Sequence, residues 1–220
     1  MTLYLLANSL GQPSDISPRA LEILKSVDVA VFEEDRPARQ ALKAAGVHRP
    51  YLKHNEHRDD GTLAEIESAL RAGKTVSYMS DQGTSGVADP GSKLAAMAFR
   101  LKCPIKVVPG PSSITCALSV FPLHIEEYYY VGFLPRESLD RTKKLQNLAR
   151  LKVPLVILDT PYRLKAVLAD CLKVFGTDQK ALMAVEIGND EQSYHWDKIK
   201  SLAELDLDKN KNFVLVIAAI

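Results

Sequence analysis

The chain has 220 residues, 46% of them hydrophobic and 25% charged, with a formal net charge of +1. That length allows one large or two modest domains with proper cores, and the ordinary composition excludes long disordered tracts. No apolar run approaches the roughly 20 residues that span a bilayer, and with so little net charge a nucleic-acid partner would need a local basic patch.

The stretch MTLYLLANSLGQ lacks the basic leader and cleavage site of a signal peptide, so a cytoplasmic protein is expected. Cys103, Cys116 and Cys171 fit no metal or redox spacing and read as reduced thiols. Thr2–Ala7 is an apolar run of strand length. At Ser17-Pro18 a capping residue precedes proline at the first helical position, so a helix starts there with Leu21 and Leu24 on one face. Val27–Phe32 predicts a second strand. Arg36–Ala45 and Thr62–Ala72 predict helices closed by Gly46 and Gly73, since glycine reaches the positive φ a helix end favours. Thr75–Ser80 and Ile105–Val108 predict strands, Lys93–Lys102 a helix, and Ser112–Leu118 opens another. Strands alternating with helices imply parallel pairing with helical crossovers.

The aperiodic stretch Ser119–Glu127, with Pro122, is read as a boundary between α/β domains at 1–122 and 123–220. The second half predicts strands at Tyr128–Phe133, Pro154–Leu158, Ala181–Ile187, Gln192–Trp196 and Asn212–Ala218. A charged helix spans Leu139–Leu151, and another spans Arg163–Phe175 ahead of Gly176. Of Tyr128-Tyr129-Tyr130 at most two share a strand face. The three tyrosines could stack on bases, but they and Trp196 are expected to pack in the core.

In an open parallel sheet, ligands bind beyond the carboxyl ends of the strands. Three loops there carry suitable residues. Asn8-Ser9-Leu10-Gly11 is small enough for close backbone approach. The Gly- and Ser-rich run Ser80–Gly91 suits backbone contact with a polar ligand, and Asp81 could accept hydrogen bonds from an amine or hydroxyls. Pro109-Gly110-Pro111-Ser112-Ser113 precedes a helix that its serines could cap. None is a phosphate-binding P-loop, a Rossmann fingerprint or a hydrolase elbow.

Taken in order, LYLLANSLGQPSDISPRALEIL, VFEEDRPARQAL, SDQGTSGVADPGSKL, VPGPSSITCALS, VGFLPRES and DTPYRL resemble the tetrapyrrole-methylase-like superfamily of S-adenosylmethionine (AdoMet) methyltransferases. Within it, the chain is most similar to the enzymes that methylate the ribose 2′-hydroxyl of a cytidine in small-subunit ribosomal RNA. The resemblance implies two α/β domains with mostly parallel or mixed sheets flanked by helices, and AdoMet in a cleft between them. It also implies a homodimer. It assigns cofactor binding to Leu10, Asp81, Gly83, Thr84, Ser112, Ser113 and Ala184, and it leaves a tetrapyrrole acceptor, or a non-catalytic AdoMet-binding role, as alternatives. Where the ribosomal enzymes read Ala-Thr-Pro-Ile-Gly-Asn, this chain has Ala7-Asn8-Ser9-Leu10-Gly11-Gln12. Where they read Ser-Asp-Ala-Gly-Thr-Pro-Gly, it has Ser80-Asp81-Gln82-Gly83-Thr84-Ser85-Gly86. Glu33–Ala38 and His54–Arg58 depart further from the family pattern.

Methyl transfer from a sulfonium is an in-line displacement that needs alignment and no metal. A ribose acceptor also needs a proton acceptor, for which Glu33, Glu34, Asp35 and His54 are candidates. Arg36 could hold an acceptor phosphate or pair with Glu33 or Asp35. Arg136, Arg141, Lys143, Lys144, Arg150 and Lys152 form the best basic cluster for RNA, or else a solvated helix face.

Overall fold

Thr2–Leu6 (β1) sends Leu3 and Leu5 to one side of a sheet and Tyr4 and Leu6 to the other. Both sides are apolar, as a strand covered on both faces by helices requires. Residues 1–55 and 61–219 are described by a computed structural model, in which the chain divides into two compact units, Met1–Ser112 and Ser113–Ile220. His57 lies outside the described residues.

In the first unit β1 joins Val29–Phe32 (β2), the two-residue Leu52–Lys53 (β3), Thr75–Met79 (β4) and Ile105–Val108 (β5). They form an all-parallel sheet of order β3-β2-β4-β1-β5. Pro18–Ser26 (α1) and Asp35–Ala44 (α2) pack Ala20, Leu24, Ala41 and Leu42 against Leu6, Phe32 and Met79. Thr62–Arg71 (α3) and Gly91–Arg100 (α4) pack Ile66, Leu70, Leu94 and Ala98 against Leu3, Val31, Val76 and Tyr78 on the opposite face. Ser17 caps α1 by accepting from the Ala20 N–H at 3.2 Å.

Arg71, on the same helix, and Arg100, on α4, both reach Glu67, each at 2.8 Å, and the Arg100 pair fastens α3 to α4. Hydrogen bonds from Arg100 and then Arg71 hold the Glu67 carboxyl at about 2, against an ordinary 4.5. A carboxyl depressed by folding adds stability above its unfolded value and loses it as pH falls through the folded one. Wild-type stability should therefore fall more steeply between pH 4.5 and about 2 than that of Glu67→Gln. The arginines are more than half exposed, so the difference is small. Urea midpoints across that window check it, and parallel curves would refute it.

The second unit opens with Ser113–Ser119 (α5), then Tyr129–Gly132 (β6), Ser138–Ala149 (α6), Leu155–Asp159 (β7) and Leu164–Phe175 (α7). Lys180–Val185 (β8), Ser193–Lys198 (β9), Ile199–Ala203 (α8) and Phe213–Ile217 (β10) complete it. The sheet order is β6-β7-β10-β8-β9. β6 and β7 are parallel and the other neighbours antiparallel, so this sheet is mixed. Helices α6, α7 and α8 cover one face through Leu145, Val167, Cys171 and Leu202.

The other face takes Ile114 and Ala117 of α5, with Phe121, against Val156, Val214 and Val216. This packing is why the second unit begins at Ser113 rather than after Pro122. Phe121 also meets Trp196 edge-on at 5.2 Å. Tyr130 packs beside the same cluster, but Tyr128 and Tyr129 are exposed and do not join the core as expected. They border an open surface hollow with Leu151.

Candidate functional site

β1 and β4 are neighbours, yet the chain leaves them toward opposite faces, with α1 after β1 on one side and α4 after β4 on the other. Strand ends where successive helices diverge in this way leave a crevice. The loops that begin there are tied to each other. The Asn8 N–H donates to the Gly83 carbonyl at 2.8 Å. The buried Asn8 side chain donates to the Ser80 and Asp81 carbonyls, each at 3.0 Å. Gln82 Nε2 donates to the Leu10 carbonyl at 3.1 Å. Ser85 Oγ donates to the Leu6 carbonyl at 2.6 Å and accepts from the Ser80 N–H at 3.0 Å. Asn8, Gln82 and Ser85, read above as departures from the family pattern, each supply a hydrogen bond within this pair of loops.

The loop after β5 joins them. Thr84 Oγ1 donates to the Pro111 carbonyl at 3.1 Å. Gly83 has φ +68°, and a Cβ there would lie 3.2 Å from Leu10 Cδ2 and 3.3 Å from the Pro111 oxygen. At Gly110 a Cβ would come within 2.6 Å of the Ala7 Cβ. Glycine is needed at both places for the three loops to meet. Leu10, Asp81, Gly83, Thr84 and Ser112 are therefore brought together. Ser113 opens α5 in the second unit. Ala184 lies on β8, fully buried, between Val214 and Tyr194 of the adjacent strands.

Four acidic residues, Asp81 and Asp89 in the loop after β4 and Glu33 and Glu34 in the loop after β2, lie at this end of the sheet. Asp81 Oδ1 accepts from the Glu34 N–H at 3.1 Å, and the Asp81 N–H donates to Glu33 Oε2 at 3.3 Å. Burial raises the Asp81 carboxyl above its ordinary value. The Glu34 N–H opposes the rise, and the charges of Glu34 and Asp89 add to it. Asp89, which sequence reasoning missed, shapes the loop that leads into α4. Its carboxylate accepts from the N–H groups of Gly86 at 2.8 Å and Gly91 at 2.7 Å, and from the Tyr78 hydroxyl at 3.3 Å. Asp-Pro-Gly ahead of a helix was the signal available for it.

The proton-acceptor candidates divide. Glu33 and Glu34 touch Asp81 directly. His54 is buried; its N–H donates to the Phe32 carbonyl at 2.8 Å, and its ring lies 6.5 Å from that of Tyr78. Asp35 is engaged by Lys53 at 2.9 Å and Tyr51 at 2.8 Å, which hold its carboxyl below the ordinary range. The ion pair considered for Arg36 with Asp35 is therefore made by Lys53.

The basic cluster in the second unit also divides. Arg141 is buried and pairs with Asp170 at 2.6 Å, so it cannot meet RNA. Lys144 donates to the Val131 carbonyl at 3.3 Å. Arg136, Lys143, Arg150 and Lys152 are exposed. Among the described residues no group of His, Cys, Asp or Glu is arranged to hold a metal ion.

A parallel αβα unit with three joined loops, followed by a mixed α/β unit, is the architecture of a known class of α/β methyltransferases. A solved uroporphyrin-III C-methyltransferase from Thermus thermophilus, complexed with S-adenyl homocysteine, has this fold. It matches with a TM-score of 0.70 over 99% of this chain and 97% of that one, at 16% identity. The chain belongs to the tetrapyrrole (corrin/porphyrin) methylases, whose family model matches residues 2–203, and is a methyltransferase. Curated relatives carry the name ribosomal RNA small subunit methyltransferase I. The one from Micromonospora olivasterospora is 30% identical over 99% of this chain, and the one from Neisseria meningitidis is 34% identical over 84% of it. The matched regions span 70% and 64% of those relatives' own lengths.

Proposed function

We propose that this chain transfers the methyl group of AdoMet to the ribose 2′-hydroxyl of a cytidine in small-subunit ribosomal RNA. The carrying observation is the junction of the β1, β4 and β5 loops at Gly83, beside the half-buried Asp81 carboxylate. The names of the relatives support the acceptor. Leu10, Asp81, Gly83, Thr84, Ser112, Ser113 and Ala184 bind AdoMet. Asp81 accepts hydrogen bonds from the ligand's amine or hydroxyls.

In the reaction the carbon–sulfur bond breaks as the carbon–oxygen bond forms. The sulfonium becomes a neutral thioether and the hydroxyl proton departs. Rate comes mainly from alignment. Glu33, Glu34 and His54 are the groups left to take the proton, since the Asp35 carboxylate is committed to Lys53 and Tyr51. The enzyme acts as a cytoplasmic homodimer.

Incubation with methyl-tritiated AdoMet and a small-subunit preparation tests the reading. Label is expected in the RNA, and nuclease digestion should release it as ribose-methylated cytidine. Label in tetrapyrroles alone, or in no fraction, would refute it.

A further inference from the structure

Two loops at the carboxyl ends of β6 and β7 are fastened together by one guanidinium. Arg163, in the turn after β7, donates from Nη2 to the carbonyls of Leu134 at 2.9 Å and Pro135 at 2.6 Å, both in the loop after β6. Its Nη1 lies 3.2 Å from Asp159 Oδ1. Arg141 holds the same loop from α6, donating from Nη1 to the carbonyls of Pro135 at 3.0 Å and Arg136 at 2.8 Å. The side chains of Arg163, Asp159 and Arg141 are 12%, 0% and 5% exposed. Burying guanidinium groups is costly unless their donors are satisfied. Here the donors are satisfied by fixing the shape of two short loops.

What those loops display outward is aromatic. Phe133, next to Leu134, is 49% exposed, and Tyr162, next to Arg163, is 71% exposed. Each is the chain neighbour of a residue in the same guanidinium bridge. Arg136, on the same loop, is also exposed. Rings left in water give folding nothing, while a rigid backbone beneath them lowers the entropy lost on binding. Every nucleobase has a π face, and proteins that read RNA stack unpaired bases on such rings. The neighbouring arginine suits the phosphate that accompanies a base.

Resting on the RNA reading above, we propose that Phe133 and Tyr162 are a stacking platform for unpaired bases of the ribosomal RNA acceptor, with Arg136 on the adjoining phosphate. Arg163 and Arg141 are the positioning residues that hold the platform rigid.

The probe is a fluorescein-labelled RNA loop fragment of the small subunit, titrated by anisotropy at several salt concentrations. Phe133→Ala and Tyr162→Ala should each raise Kd by about tenfold. The salt slope, AdoMet affinity by calorimetry and Tm should not change. Phe133→Trp should bind at least as well as wild type, whereas Phe133→Leu, which keeps apolar bulk without a ring, should bind as weakly as alanine. Arg136→Ala should reduce the salt slope by about one. Wild-type binding that survives both alanine variants, or that Phe133→Leu fully restores, overturns the platform while leaving the RNA reading intact. Absence of RNA binding by the wild type overturns both.

Discussion

Asp170→Ala is expected to lower the free energy of unfolding by about 3–5 kcal/mol. Asp170 is 2% exposed and joins α6 to α7. Its carboxylate accepts from Ser138 Oγ at 2.9 Å, Arg141 Nε at 2.8 Å and Lys173 Nζ at 2.7 Å. Deleting it strands the guanidinium of Arg141, a residue 4% exposed, without a counter-charge. An unpaired buried charge costs far more than the pair contributes. It also loosens the turn at Pro135 and Arg136, whose carbonyls Arg141 holds.

Burial pushes the Asp170 carboxyl up, but hydrogen bonds from Lys173, Ser138 and Arg141 outweigh it and leave it below the ordinary value. Its stabilising contribution is therefore present above that ordinary value and disappears as pH falls through the lowered one. Urea denaturation at neutral pH measures the loss. The double variant Arg141→Met/Asp170→Leu should recover most of it, because no charge remains in the core. A loss under about 1 kcal/mol in Asp170→Ala would show that the pair is not the fastening described.

Asp81→Ala is expected to weaken AdoMet binding by at least about a hundredfold. On the proposed assignment, charge-assisted hydrogen bonds from the ligand, at about 1.5–3 kcal/mol each, set that magnitude. The ionised carboxylate is the form that accepts from the ligand, and burial raises its pKa. Wild-type affinity should therefore begin to fall, as pH is lowered, above the ordinary value of 3.8. The variant's affinity should be flat over the same range.

Stability runs the other way. A carboxyl raised by burial burdens the fold once ionised, and that penalty appears as pH rises through the raised value. Asp81→Asn should accordingly leave Tm unchanged or slightly higher while binding is lost, which separates the ligand contact from unfolding. Unchanged AdoMet affinity in calorimetry removes Asp81 from the site.

Local chemistry was legible in the sequence, and long-range chemistry was not. Ser17-Pro18 marked the start of α1 because cap and proline act within one turn. Gly46, Gly73 and Gly176 marked helix ends because each takes a positive φ, of +71°, +83° and +84°. β3 and α8 escaped notice, since two strand residues and five helical ones are too few to set a period. The buried role of Arg141 was hidden because its partner lies on another helix, 29 residues along the chain. In sequence it looks like one more member of a basic run.

The site divides in the same way. Gly83 and Asp81 stood out by composition and position. The bonds from Asn8 to Ser80 and from Ser85 to Leu6 cross 72 and 79 residues and have no local signature. Asn8, Gln82 and Ser85 read as departures from a pattern until their hydrogen bonds to the neighbouring loops were seen.

The place of β10 has a consequence for how the second unit is born. It is the last strand of that unit in sequence, yet it lies in the middle of the sheet, between β7 and β8. Until Phe213–Ile217 emerges from the ribosome, the flanking strands have no partner on their inner edges. Chains truncated before Phe213 would therefore expose two sticky borders at once and be prone to clump. Assembly of this half must wait for Phe213–Ile217, because its keystone strand is made after the two it joins.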